Sequence, residues 1–382
     1  MRSRTVNDPS PGRSSDADPG GGAAGNSGGL SAAVITPASL GYRMPAEWEP
    51  HAATWLSWPR ASGISFPGCY DTIPPVLAKM VAALAESEPV HINVQDADEE
   101  ETVRGQLRQN GVADLAHVRF FHIPTNEPWC RDHGPVFLTQ PGVDFPLVVV
   151  DWEYNAWGWK YPPFDLDDAV PTRVAAALGG LPVFYPGIVL EGGSIDVNGS
   201  GTVLTTESCL LNVNRNPNLK RAQLEAYLRG YLGVTNILWL GDGIEGDDTD
   251  GHIDDLTRFV NRTTVVTVVE EDAHDTNHEP LQHNLQLLRQ MSVEDGTPLR
   301  VLTLPMPAPV RREGQRLPAS YANFYVANKV VLLPAFNDPA DAWAASVLRE
   351  AFPKRKIVPI NCRDLIWGLG AFHCLTQQMP VV

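Results

Sequence analysis

Near its C-terminus the chain reads His373-Cys374-Leu-Thr-Gln-Gln378, and separate Gly-containing turns far upstream carry Asp132, Glu191 and the run Asp250-Gly-His252-Ile-Asp254. A thiolate adds to electron-poor carbon, an imidazole moves protons near neutral pH, and paired carboxylates hold a cation. One thiol, one imidazole and several carboxylates are the parts needed to attack a cationic carbon. Asp250, His252 and Asp254 alternate with Gly251 and Ile253, so in an extended backbone their side chains share one face.

Taken singly, each piece has a plainer account. Glu191-Gly-Gly reads as a turn with a solvated acid, Asp132 beside Arg131 as a local ion pair, and a lone cysteine as a small core hydrophobe. Register argues against reading them singly: 59 residues separate Asp132 from Glu191 and 61 separate Glu191 from His252. Metal binding is the sharper competitor, because Asp-x-His-x-Asp resembles ligand spacing, but a zinc site normally recruits two or three histidines and only one lies in this constellation. No metal is assigned. His373 is expected on the strand face opposite Cys374, as a packing residue, and His133 beside Asp132 is ambiguous.

The elements that would position these residues recur. Four segments read as strand, tight turn, strand, starting at 135, 194, 256 and 322, so the starts are 59, 62 and 66 residues apart. Helical stretches lie between them, such as 217–232 with Asn216 as N-cap and Gly233 as stop, and each is followed by a short apolar run. The unit is hairpin, helix, strand. A first unit begins near Ala53, and the strand around Cys374 to Gln378 would lie beside it. The spacing predicts an α/β fold of about five pseudo-symmetric units, closed into a propeller-like ring around a central pocket, in which equivalent positions converge on one axis.

Composition sets limits on partners. The formal charge of −16 opposes attraction to nucleic acid or anionic membrane and favours a cationic ligand. Five cysteines without a CxxC pair fit neither a disulfide framework nor a zinc ribbon, and a reducing cytoplasm is the simplest setting. Residues 1–40, rich in Gly, Ser, Pro and Asp, read as a disordered tail, leaving 41–382 as a single catalytic domain. No segment approaches the ~20 apolar residues of a membrane span.

Together, Asn126-Glu-Pro-Trp129-Cys-Arg-Asp132-His-Gly-Pro, Asn155-Ala-Trp157-Gly, Leu190-Glu191-Gly-Gly, Asp248-Thr-Asp-Gly-His252-Ile-Asp254 and His373-Cys374-Leu-Thr-Gln-Gln resemble the agmatine deiminase and bacterial peptidylarginine deiminase family, within the guanidine-modifying superfamily. The match runs from about Tyr42 to the C-terminus. The resemblance implies a five-unit α/β propeller whose site needs no metal or cofactor. It further implies Cys374 as nucleophile, His252 as acid and base, Glu191 as the carboxylate orienting the imidazole, and Asp132 and Asp254 as the pair gripping a guanidinium. Asp248 would meet the distal amine of agmatine, and Trp129 and Trp157 are candidate pocket walls. A homo-oligomer, commonly a dimer, is the family precedent.

Three departures bear on substrate fit. Relatives usually read Gly-Gly-Gly-Asn-Ile-His before the cysteine, where this chain has Gly368-Leu369-Gly370-Ala371-Phe372-His373; they often carry His at Asp196 and Glu at Asp248. Agmatine is the leading substrate. Arginine is disfavoured because the motifs offer no obvious arginine for an α-carboxylate, Arg131 and Arg258 being the remaining candidates. Peptidyl arginine, amidino transfer to an acceptor amine and a silent guanidine- or polyamine-binding protein are the alternatives.

Overall fold

A computed structural model describes Ile35–Val382, and within it this stretch clusters as one compact unit. The expected tail lies outside the described residues as far as position 34. Its last residues are described: Ala38–Leu40 form a 3-10 turn, and the nearby Thr36 packs against Gly230.

Five sheets repeat one pattern. β1 (His51–Ser57) runs parallel to β2 (Val90–Val94), which runs parallel to β3 (Val118–His122). β4 (Val136–Thr139) is antiparallel to β5 (Leu147–Val150), which is parallel to β6 (Val183–Phe184). The same order, an antiparallel pair and then a parallel third strand, recurs in β7 (Asp196–Val197), β8 (Thr202–Thr206) and β9 (Asn236–Leu240). It recurs again in β10 (Thr257–Asn261), β11 (Thr264–Val269) and β12 (Arg300–Pro305). After the small hairpin of β13 (Arg311–Arg312) and β14 (Gln315–Arg316), β15 (Tyr325–Val326), β16 (Val330–Ala335) and β17 (Lys356–Asn361) repeat it once more. The C-terminal strand β18 (Thr376–Pro380) returns to pair antiparallel with β1, supplying the first sheet with its missing antiparallel edge. The result is a mixed α/β fold.

The middle strands are buried along their whole length, as strands covered on both faces are. β5, β11 and β16 are buried at every position. Turn chemistry sets the registers: between β7 and β8, Asn198 Oδ1 accepts from the backbone N–H groups of Ser200 and Thr202, both at 2.9 Å. The helix Arg221–Leu232 stops at Gly233, where φ is +71° and an added Cβ would stand 2.5 Å from the Tyr42 carbonyl oxygen, so only glycine fits. That helix starts four residues later than expected. Asn216 does not cap it, because its side chain is engaged with the backbone of Val189 at 3.0 and 2.8 Å; Lys220 is the N-cap.

One hydrophobic cluster joins the helices Ile73–Ala85 and Ala340–Ala351 to β16 and reaches Trp129, Phe372 and Cys374, so this thiol sits on the edge of the main core. Among the described residues no helix is long and apolar enough to cross a membrane, and all five cysteines are free thiols.

Candidate active site

Each candidate side chain hangs from the short connection that precedes the first strand of a sheet. Asp132 lies in the single helical turn Cys130–His133 before β4, and Glu191 precedes the 3-10 turn Gly192–Ser194 before β7. His252 and Asp254 flank and enter the 3-10 turn Ile253–Asp255 before β10, and Cys374 lies in the turn before β18. The backbone N–H of Arg131 donates to the Cys374 carbonyl at 3.0 Å, binding the first of these turns to the last.

These turns correct two sequence expectations. Asp250, His252 and Asp254 do not share an extended face: Asp250 and Gly251 take φ of +68° and +97°, and a 3-10 turn follows. Asp250 therefore points away to Arg215 and Lys160, at 2.5 and 2.8 Å. His373 is not a packing residue on an opposite strand face, because the strand begins only at Thr376 and alternation does not apply in the turn before it. Its Nδ1 stands 2.6 Å from Asp254 Oδ2.

Asp132, His252 and Asp254 converge. His252 Nδ1 is 3.6 Å from Asp132 Oδ1 and 3.9 Å from Asp254 Oδ1, while Cys374 Sγ is 3.6 Å from Asp254 Oδ2, so the thiol and the imidazole flank one carboxylate. Asp132 is fixed from two sides, by Trp157 Nε1 at 3.0 Å and by the Gly193 N–H at 3.0 Å. Asp254 Oδ1 and both ring nitrogens of His252 are buried with no hydrogen-bond partner. Buried polar atoms left unpaired carry a free-energy cost of about 1–3 kcal/mol each, and three of them lie together here.

Glu191 is close to the imidazole without bonding it. One Glu191 oxygen accepts from Arg215 Nε at 2.6 Å and the other has no partner, while donor atoms of Glu191, Cys209 and His252 lie within 4.8 Å of one another. These three donors could in principle hold an ion, but the Arg215 guanidinium on Glu191 already supplies positive charge there.

A cavity of about 200 Å³ leads from the surface to Asp132 and Cys374. Trp129, Trp157, Tyr161 and Trp367 wall it, and Asp248 stands on its rim, accepting a hydrogen bond from the Tyr161 hydroxyl. Trp157 is held in the left-handed region at φ +55°, and Asn155 Oδ1 caps this bend by accepting from the Gly158 N–H at 2.8 Å. Such backbone strain persists where the surroundings demand a particular side-chain direction, here toward Asp132.

Several groups escaped the sequence reading. Asn323 precedes β15, in the equivalent place on the fifth sheet. Its Nδ2 donates to Cys374 Sγ and to Asp255 Oδ1, both at 3.0 Å, and its Oδ1 accepts from the His373 N–H at 3.1 Å. The period of about sixty pointed to this stretch, where the expected hairpin starts at 322. Glu47 and Arg215 lie in irregular segments outside the period and carried no signal. Arg131 and Arg258 are both turned to Glu47, at 3.3 and 2.8 Å, and Asp196 pairs with Arg258, away from the cavity. His133 is buried against the Glu127 carbonyl at 3.2 Å, and burial lowers its pKa to about 4.

Burial shapes the titration of the site. It pushes the Cys374 thiol well above its usual range, and Asp254, Asp255 and Asp132 add to the effect. Burial also raises Asp132, to about 7, with Asp254 and Glu191 adding and His252 opposing. For His252 burial works downward, but Asp132, Cys209 and Asp254 outweigh it and hold the ring well above the ordinary imidazole value. A raised thiol pKa means less thiolate than a free cysteine shows at any given pH. We therefore expect iodoacetamide at pH ~7 to label the half-buried Cys69 well before Cys374, and labelling of Cys374 to accelerate only as pH climbs past the ~8.5 of a free thiol. Peptide mapping by mass spectrometry reads both sites, and rapid neutral-pH labelling of Cys374 would contradict this electrostatic picture.

The profile of the Porphyromonas-type peptidyl-arginine deiminase family matches residues 43–380. The chain belongs to this family. Within it, the agmatine deiminase of Pseudomonas aeruginosa (strain LESB58) is 35% identical over 373 residues, covering 92% of this chain and 99% of that protein. The agmatine deiminase of Ectopseudomonas mendocina (strain ymp) is 34% identical over 375 residues, covering 91% and 98%. Among solved structures, the agmatine deiminase of Enterococcus faecalis superposes with a TM-score of 0.84 at 32% identity, covering 91% of this chain and 98% of that one. C. jejuni agmatine deiminase with substrate bound gives a TM-score of 0.80 at 32% identity, covering 88% and 96%.

Proposed function

We propose that this chain hydrolyses the guanidinium group of agmatine, giving N-carbamoylputrescine and ammonia. The observation that carries this is that Asp132 and Cys374 line the foot of a tryptophan-walled cavity, with the buried Asp254 3.6 Å behind the sulfur. A guanidinium is planar with N–H donors on every side, so carboxylates at two edges can fix its central carbon for attack. Membership of a deiminase family and likeness to agmatine deiminases support the same reading.

In this mechanism the bound cation offsets the negative field that keeps Cys374 protonated, and the thiol loses its proton as substrate settles. The thiolate adds to the guanidinium carbon, forming a C–S bond and a tetrahedral adduct. His252, protonated at rest, gives its proton to the departing nitrogen, the C–N bond breaks and ammonia leaves. The S-alkylthiouronium that remains is attacked by a water whose proton passes to His252. The C–S bond then breaks, and a ureido product and the free thiol result. Glu191 acts on the imidazole through charge, with Arg215 holding one of its oxygens. Trp129 and Trp157 cover the guanidinium, and Asp248 on the rim receives the distal ammonium.

The five like sheets and the pairing of β18 with β1 support a pseudo-symmetric five-unit propeller closed between the chain ends, with one catalytic domain over 41–382. Convergence of residues from equivalent turns is what such a closure produces. Arginine is disfavoured on a specific observation: Arg131 and Arg258, the two candidates for gripping an α-carboxylate, spend their charge on Glu47 and Asp196. Assayed on agmatine, arginine, short guanidino acids and arginyl peptides, the protein is expected to favour agmatine by at least about 100-fold in kcat/KM, because an unpaired buried carboxylate on the competitor is costly. Ammonia and a ureido product should appear together. Release of urea plus amine, or preference for arginine, would overturn the proposal.

A further inference from the structure

Glu47 lies outside every motif discussed so far, yet its buried carboxylate is met by four donors. Oε2 accepts from Arg258 Nη2 at 2.8 Å and Arg131 Nη2 at 3.3 Å and stands 2.8 Å from His373 Nε2; Oε1 accepts from the Val326 N–H at 2.8 Å. The opposite nitrogen of the same ring, His373 Nδ1, is 2.6 Å from Asp254 Oδ2. An ionised carboxylate can only accept, so a ring held between two of them must carry a proton on each nitrogen.

Both carboxylates are ionised. Burial alone would raise Glu47, but Arg258, His373 and Arg131 hold it well below the usual carboxylate range. Burial likewise opposes Asp254, and His373, His252 and Arg258 keep it low. The ring between them is therefore an imidazolium, and it engages Asp254 through Oδ2 while Oδ1 stays buried and unpartnered.

We infer that Glu47 is a positioning residue for the reaction: it keeps His373 doubly protonated, and His373 in turn anchors one oxygen of Asp254 so that the other is presented, charged, to the guanidinium. This rests on the reading of Asp254 given above. His373 and Asp254 thus form a relay from the N-terminal segment of the described chain to the cation seat, its two links spanning 326 and 119 residues of sequence.

The test must separate positioning from mere support. Glu47 faces Arg258, Arg131 and His373, with Asp196 beyond Arg258 and the neutral Tyr325 and the cation of Arg355 at longer range. Asp254 faces His373, His252, Arg258, Asp132, Asp255 and Cys374. Glu47→Gln keeps shape and lets an amide donate to a neutral ring, but removes the charge that holds the second proton on His373. With one carboxylate fewer against the ring, His373 supports Asp254 less, and Asp254 becomes protonated at higher pH than before.

For agmatine hydrolysis by the full chain, Glu47→Gln is expected to lower kcat/KM at neutral pH by about tenfold or more, mainly through KM, and to move the acid limb of the profile upward by about one unit. Glu47→Asp, which restores the charge, should return that limb toward its original position. An unmoved acid limb in Glu47→Gln, with activity lost only in proportion to folded protein, would overturn the inference. Should Glu47→Gln not fold, the 15N resonances of the His373 ring in the unmutated protein decide. Two protonated nitrogens are expected at neutral pH, because each faces a carboxylate oxygen, and one protonated nitrogen there would overturn the inference. Asp254→Asn keeps the failures apart: unchanged KM in that variant defeats the role of Asp254, and with it the functional consequence drawn for Glu47, while leaving the protonation of His373 to the resonances.

Discussion

Cys374→Ala is expected to lose at least about four orders of magnitude of ammonia release from agmatine while remaining folded and still binding the substrate. A guanidinium carbon is stabilised by resonance over three nitrogens and resists direct attack by water, so removing the sulfur removes the covalent route and leaves only the electrostatic grip of Asp132 and Asp254. The structural cost is small. Cys374 is packed at the edge of the main core; its sulfur accepts from the Asn323 amide, which keeps Asp255 as a second acceptor, and donates to Asp254, which keeps His373. Losing these two hydrogen bonds costs about 2 kcal/mol, within the stability of a domain this size. Single-turnover ammonia assays together with calorimetric binding of agmatine separate chemistry from affinity. A variant releasing ammonia at a rate comparable to the parent would remove the thiol from the mechanism.

Gly193→Ala should be nearly as damaging, by a different route. A Cβ on Gly193 would lie 2.6 Å from Asp132 Oδ1, 2.6 Å from His252 Nδ1 and 3.1 Å from Asp254 Oδ2, three polar atoms that meet only because no side chain is present there. None of the three can yield freely. Asp132 is tied to Trp157 and to the Gly193 amide itself, Asp254 is tied to His373, and His252 is fully buried. Displacement of about 1 Å among groups that must align on one carbon costs about 100-fold, so a loss of kcat/KM of at least that size is expected. Overpacking of this kind costs about 1–3 kcal/mol, enough to lower Tm by several degrees without unfolding the protein at room temperature. Activity within about threefold of the parent would show that the acids are not held as tightly as their bonds suggest.

The same glycine marks the boundary between what the sequence discloses and what it withholds. As a sequence, Glu191-Gly-Gly reads as an ordinary turn; only in three dimensions does Gly193 become the point on which two carboxylates and an imidazole close. His373 shows the opposite error. Strand alternation assigned it away from the site, but it lies in a turn, and its ring joins Asp254 to Glu47. Asn323 was within reach of the period, since it falls just before the first strand of the fifth sheet, but an amide drew no notice beside thiols, imidazoles and acids.

By itself the sequence determined the repeat and the reactive residue types placed at its turns. Asp132, Glu191, His252 and Cys374 are recognisable because each precedes the first strand of a sheet, and strand, turn and helix periodicities are local properties that survive in one dimension. The tertiary structure alone decided which atoms meet. Glu47, Arg215 and Asn323 enter the site through contacts between segments 24 to more than 300 residues apart, and the direction of a side chain leaving a turn depends on backbone angles that no apolar pattern encodes.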